Sequence, residues 1–194
     1  MADIRPFRAI RYDLGVICTE AFSDVVAPPY DVIDDAHQDA LYASHPNNFV
    51  RIDMEDHPCT DDTLEFFRRL REEFPGHVGV VLQSYLRRTL DDIEALSDGL
   101  LHFRLCKGIY NEPREIAYKD MTIINRSFVC CLEMMFEKGA YVGIATHDEK
   151  LIFESLQLIR KYGLQRDDYE FQMLLGVDQQ LRDLLVKDGH RLRV

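Results

Sequence analysis

The sequence predicts an α/β protein, an incomplete (β/α)8 barrel of the TIM type with about six parallel strands, behind an irregular N-terminal appendage. Three observations predict it. From about residue 49, short apolar runs alternate with charged, helix-periodic segments, and parallel strands need such crossovers. Polar residues recur where each apolar run ends, at the edge where parallel sheets bind ligands. No GxGxxG follows any run, so the usual dinucleotide fingerprint of an open doubly wound sheet is absent.

The strands are expected at 49–54, 78–85, 101–106, 141–145, 169–174 and 191–194. Between them, 60–73, 90–97, 114–138, 149–162 and 179–187 read as helices. Thr60 and Asp61 are candidate N-caps for the first helix. Leu64, Phe67 and Leu70 fall at the spacing of a helix that covers a sheet with one face. The stretch 49–194 is well short of the about 250 residues of a complete barrel. Residues 1–48 read differently. They carry two Pro-rich turns, Arg5-Pro6-Phe7 and Ala27-Pro28-Pro29-Tyr30-Asp31, and a helix candidate at 34–43. Pro28-Pro29 excludes a central strand or helix there. The division is therefore an appendage of unknown role at 1–48 and a partial barrel at 49–194.

Composition narrows the function. The 194 residues are 46% hydrophobic and 29% charged, as in a soluble globular domain, and the net charge of −11 is spread along the chain. That field repels nucleic acid, and no Lys/Arg stripe reverses it locally. No apolar run approaches the roughly 18 residues that span a bilayer. The N-terminus has charges throughout and no apolar h-region, which favours the cytoplasm. Five cysteines without CxxC spacing read as reduced apolar fillers.

The polar residues at the strand ends are the candidate site. They are Asp53 and Glu55, Gln83, Arg104 and Lys107, Thr146 and His147, and Glu170 and Gln172. Asp53 with Glu55 and Asp56 reads either as an active-site acid or as a solvated loop that caps the next helix. Arg104 and Lys107 read either as ligand-binding cations or as surface charge. Gln83, in an apolar strand, faces a site more readily than a core, because a buried amide needs partners. His147 with Asp148 lacks the HxH or HExxH spacing of a metal pair.

Six segments carry a resemblance: RIDMED (51–56), VGVVLQSYLRRT (78–89), RLCKGIYNEP (104–113), IATHD (144–148), EFQMLLG (170–176) and GHRLRV (189–194). In this order and at these separations they resemble the proline dehydrogenases. The resemblance implies a distorted (β/α)8 barrel with FAD across the C-terminal strand ends. It implies oxidation of L-proline to 1-pyrroline-5-carboxylate by hydride transfer to the flavin. Electrons then pass to a membrane quinone, with contact at the membrane periphery. Asp53 would be the active-site carboxylate, with Met54 beside the cofactor. Gln83 would contact the flavin, Arg104 would lie beside its ring, and Leu105, Cys106, Lys107 and Gly108 would follow along it. Thr146 and His147 would hold another part. A fixed guanidinium suits a ring that gains electron density in a water-poor site, and Lys107 with Gly108 suits a pyrophosphate.

The chain also departs from that family. The first two strands and the last, arginine-bearing helix have no counterpart, and Leu175 stands where tyrosine is common. Residues 1–50 instead resemble the opening of an uncharacterised bacterial family with a PPYDVI motif. The two resemblances meet at Phe49-Val50-Arg51. Three functions follow: an FAD-dependent proline dehydrogenase impaired by its missing parts, a non-catalytic remnant with weak flavin binding, or a metal-assisted hydrolase using Asp53, Glu55 and His147. Residues 1–48 would cover one open sheet edge, and assembly with another copy would cover the other.

Overall fold

The computed structural model describes residues 7–12 and 15–20, by their backbone alone, and residues 49–194. The Ala27–Asp31 turn and the helix expected at 34–43 lie outside the described residues. The chain forms two compact units, Met1–Val80 and Val81–Val194.

In the first unit, β1 (Phe7–Tyr12) and β2 (Gly15–Glu20) pair antiparallel, with Ile10 opposite Ile17. β2 pairs antiparallel with β3 (Phe49–Ile52), Ile17 standing opposite Ile52. The sequence pattern assigns no strand to residues 1–48, so this hairpin is a difference. Strands of this kind depend on cross-strand partners more than on their own propensity. β3 then runs parallel to β4 (Val78–Gln83), with Val50 opposite Val78 and Ile52 opposite Val80. The crossover is a 3-10 turn, His57–Cys59, followed by α1 (Thr60–Glu73). Leu64, Phe67 and Leu70 are buried as their spacing requires. The cap is not Thr60 or Asp61. Cys59 occupies the N-cap without a side-chain bond, because the 3-10 turn already leads into the helix. Thr60 lies inside and is buried.

The second unit takes the end of β4 and adds β5 (His102–Cys106), β6 (Tyr141–Ala145), β7 (Tyr169–Gln172) and β8 (Leu192–Arg193). β5 to β8 pair parallel in chain order. With β3 and β4, these are the six parallel strands expected. The crossovers carry α2 (Thr89–Ala95), α3 (Met121–Glu137), α4 (Glu149–Lys161) and α5 (Gln179–Lys187). One face of the strands holds fully buried Phe103, Leu105, Val142, Ile144 and Phe171. The amphipathic helices supply fully buried partners, among them Phe128, Leu132 and Met135 of α3. Each such large side chain contributes roughly 1.5–3 kcal/mol by leaving water.

α3 begins at Met121, not at Arg114 as its periodicity suggests. Residues before it are held by tertiary bonds instead. The Arg87 amide donates to the Ile116 carbonyl at 2.9 Å, and the Tyr118 amide donates to the Tyr85 carbonyl at 2.8 Å. This strap packs Ala117 into a small core with Tyr85, Leu86 and Ile124. Asp120 then caps the helix, accepting from the Thr122 and Ile123 amides at 2.9 and 3.2 Å.

Candidate functional site

Asp53 is the first residue past β3, at its C-terminal end. Its Oδ1 accepts the Met54 amide at 3.0 Å, Asp53 is half-buried and Met54 is buried. Both belong to the first unit. Glu55 belongs there too, and the remaining candidates belong to the second.

There the register sets Arg104 of β5, Gly143 of β6 and Glu170 of β7 in one row across the sheet. Alternation along a strand sends this row to the face opposite the helix-packed core. Glu170 is almost fully buried, so its charge requires partners. Arg193 at the end of β8 grips it with a two-pronged pair, Nε to Oε1 at 2.9 Å and Nη2 to Oε2 at 3.0 Å. Gln172, two residues along β7, donates its Nε2 to Glu170 Oε1 at 2.5 Å. Its Oε1 accepts from Arg104 Nε at 2.5 Å. The side chain crosses β6 above Gly143, where an added Cβ would stand 2.6 Å from Gln172 Nε2. An arginine, an amide, a carboxylate and a second arginine thus form one chain of bonds. Burial, with the Glu170 carboxylate adding to it, pushes the nearby Tyr141 phenol well above its usual range.

Just past β5, Lys107 Nζ pairs with Asp148 Oδ2 at 2.7 Å. Asp148 is the N-cap of α4 and accepts the Lys150 amide at 3.0 Å. The bond from Lys107 holds its carboxyl below the usual carboxylate range. The Asp148 amide donates to Thr146 Oγ1 at 3.1 Å, which fixes buried Thr146 just past β6. His147 accepts the Leu174 amide on Nε2 at 2.7 Å. A neutral imidazole that accepts on Nε2 carries its proton on Nδ1. Lys107 and Thr146 are therefore brought together around Asp148, while the His147 ring is held by Leu174.

Gln83 ends β4 and is buried. The strand path continues beside β5: the Ser84 amide donates to the Cys106 carbonyl at 2.8 Å, and the Tyr85 amide to the Lys107 carbonyl at 2.9 Å. Cys106 Sγ lies 3.7 Å from the Leu82 carbonyl. Gly108 has φ +106°, and a Cβ there would stand 2.2 Å from the Tyr85 ring. Its freedom serves the close approach of that ring. Burial and the Glu112 carboxylate push the Tyr85 phenol up to about 12. Leu105 is not on the site face. Its fully buried side chain points into the core with Phe103, opposite Arg104.

Comparison with known proteins sets these residues in a family. The family model for proline dehydrogenase matches residues 37–194. The chain belongs to the proline dehydrogenase family. The proline dehydrogenase of Deinococcus radiodurans is 40% identical over 153 residues, covering 78% of this chain and 49% of that protein. Proline dehydrogenase 2 of Bacillus subtilis strain 168 is 38% identical over 145 residues, covering 75% of this chain and 48% of that protein. The chain spans about half the length of the curated relatives it matches. The crystal structure of proline utilization A from Bdellovibrio bacteriovorus, inactivated by N-propargylglycine, superposes with a TM-score of 0.71 at 26% identity. That match covers 75% of this chain and 17% of that one.

Of the residues bonded here, Arg193 and Asp148 fall outside the set chosen from sequence. Glu170 and Gln172 are legible as strand-end polar residues, and their spacing of two puts them on one face. Arg193 lies in a motif of the family resemblance but has no role read from it. Asp148 appears in the sequence only as a neighbour of His147. Among the described residues, no group of three or more His, Cys, Asp or Glu stands ready to hold a metal ion.

Proposed function

We propose that this chain binds FAD along the C-terminal ends of its parallel strands and serves the oxidation of L-proline to 1-pyrroline-5-carboxylate, with a quinone as electron acceptor. The observation that carries the reading is family membership joined to a guanidinium, Arg104, tied down at the ligand-binding edge of the sheet. The donor set fits the cofactor. A ring that gains electrons is stabilised by a fixed cation in a water-poor site, and an oriented guanidinium needs no rearrangement when charge develops. When bound, FAD supplies the hydride-accepting chemistry.

The chain's own residues bind and orient. Arg104 places positive charge beside the ring, Gln83 offers a buried amide, and Cys106 lines the apolar margin. Thr146 and His147 hold a more distant part, with the Nδ1–H of His147 as a donor. Lys107 reaches a phosphate only by giving up Asp148, so its contribution is offset by the pair it breaks. Asp53, in the first unit, is the carboxylate that the family resemblance assigns to catalysis. Among the described residues no helix is long and apolar enough to cross a membrane. Cytoplasmic residence with peripheral contact fits delivery of electrons to a quinone.

A second reading of these 194 residues is flavin binding without turnover. Titration of the purified chain with FAD, followed by flavin fluorescence, and proline-dependent dye reduction separate the two. Uptake with dye reduction supports the enzyme, uptake without it the second reading, and no uptake overturns both. Arg104→Ala is expected to weaken FAD binding by about tenfold, the loss of one charge-assisted contact.

A further inference from the structure

The chain of bonds from Arg104 to Arg193 has a direction, set by Gln172. An amide has an acceptor end and a donor end. Here the acceptor end faces a guanidinium and the donor end faces a carboxylate. A flipped amide would set donor against donor at Arg104 and acceptor against acceptor at Glu170. Two opposite charges therefore hold the amide in one orientation. Glu170 is in turn held by both prongs of Arg193. Gly143 keeps the route open, because any side chain in that row would occupy the space Gln172 crosses.

We propose that Gln172 is a positioning residue that aims the Arg104 guanidinium, with buried Glu170 as its anchor and Gly143 as the opening it needs. The inference rests on the reading of Arg104 as the cation beside the flavin. Its physical content is local. With Nε committed to Gln172, the guanidinium plane is restrained about its long stem, which removes rotamer freedom before a ligand arrives. Remove Gln172 and two costs appear together: Arg104 loses the bond at its Nε, and Glu170 loses one of its donors in a buried setting.

Two variants reach the same state by different routes. Gln172→Ala deletes the amide. Gly143→Ala leaves the amide in place and blocks its path, its Cβ falling 2.6 Å and 2.9 Å from Gln172 Nε2 and Cδ. In the wild-type chain without flavin, Arg104 Nε–H should exchange slowly with solvent by NMR, and in both variants about tenfold faster. With FAD bound, both variants should bind it about tenfold more weakly, and the flavin midpoint potential should move negative as the cation loses its aim. Gln172→Glu keeps an acceptor for Arg104, so slow Nε–H exchange should persist, while the added anion moves the potential further negative. A residue with a merely structural role would leave the potential untouched in folded variants. Unchanged Nε–H exchange in Gln172→Ala overturns the relay whatever FAD does. A wild-type chain that takes up no FAD overturns the proposed function and the relay's purpose together, and exchange in the apo chain still tells whether the geometry is right. Should Gly143→Ala fail to fold, Gln172→Glu carries the comparison.

Discussion

Asp148 shows how one side chain ties a helix to a site. It caps α4 through the Lys150 amide and pairs with Lys107, with 27% of its side chain exposed. Asn caps about as well as Asp, so two substitutions separate the roles. Asp148→Asn keeps the cap and loses the pair, and should cost less than about 1 kcal/mol. Asp148→Ala loses both and should cost about 1–2 kcal/mol, as read from urea unfolding. Acid sets the sign. The Asp148 carboxyl titrates below the ordinary carboxylate range because of Lys107, so its contribution is complete above about pH 4 and vanishes as pH falls through the lowered value. The gap between wild type and Asp148→Asn should therefore close in acid; a gap that stays constant down to low pH would mean the ion pair contributes nothing.

Among elements, α3 marks where sequence pattern and structure part. The periodicity of 114–138 is genuine, and helical spacing alone cannot tell the first helical turn from a strap that happens to share it. The strap wins because Ile116 and Tyr118 find backbone partners on the segment after β4 and Ala117 fills a small core there, a tertiary effect no local window contains. Asp120 falls inside the span whose periodicity suggests helix, yet it stands at the N-cap where the helix starts. Asp120→Ala should cost about 1 kcal/mol and fray the first turn, seen as faster amide exchange at Thr122 and Ile123. If exchange there is unchanged, the strap rather than the cap fixes the start. Strands β3 to β8 were legible because each is a short apolar run with polar flanks. The β1–β2 hairpin was not, since its pairing partner β3 lies beyond a long intervening segment. The Gln172 bridge was hidden for a similar reason: its path depends on a glycine in β6, and no spacing within β7 encodes that.

At the scale of the whole molecule, buried phenols and a large negative charge point the same way in alkali. Burial and the Glu112 carboxylate raise the Tyr85 phenol to about 12, and burial with Glu170 raises Tyr141 too. Burial also raises the Cys131 thiol to about 12. A group whose folded value is raised contributes stability that is complete below its unfolded value and is lost as pH climbs through the folded one. For tyrosine that window opens at about pH 10, and for Tyr85 it closes near 12. The net charge of −11 at neutrality grows as these groups ionise, so unfolding also relieves self-repulsion. Stability measured by urea should fall steeply from about pH 10 upward. Tyr85→Phe removes one of the protons that the folded state holds more tightly than the unfolded one, and its stability curve should decline less steeply over the same range. Parallel curves for wild type and Tyr85→Phe would show that the phenol ionises without hindrance, and so that the wall it forms against Gly108 beside the Arg104 strand is open to water.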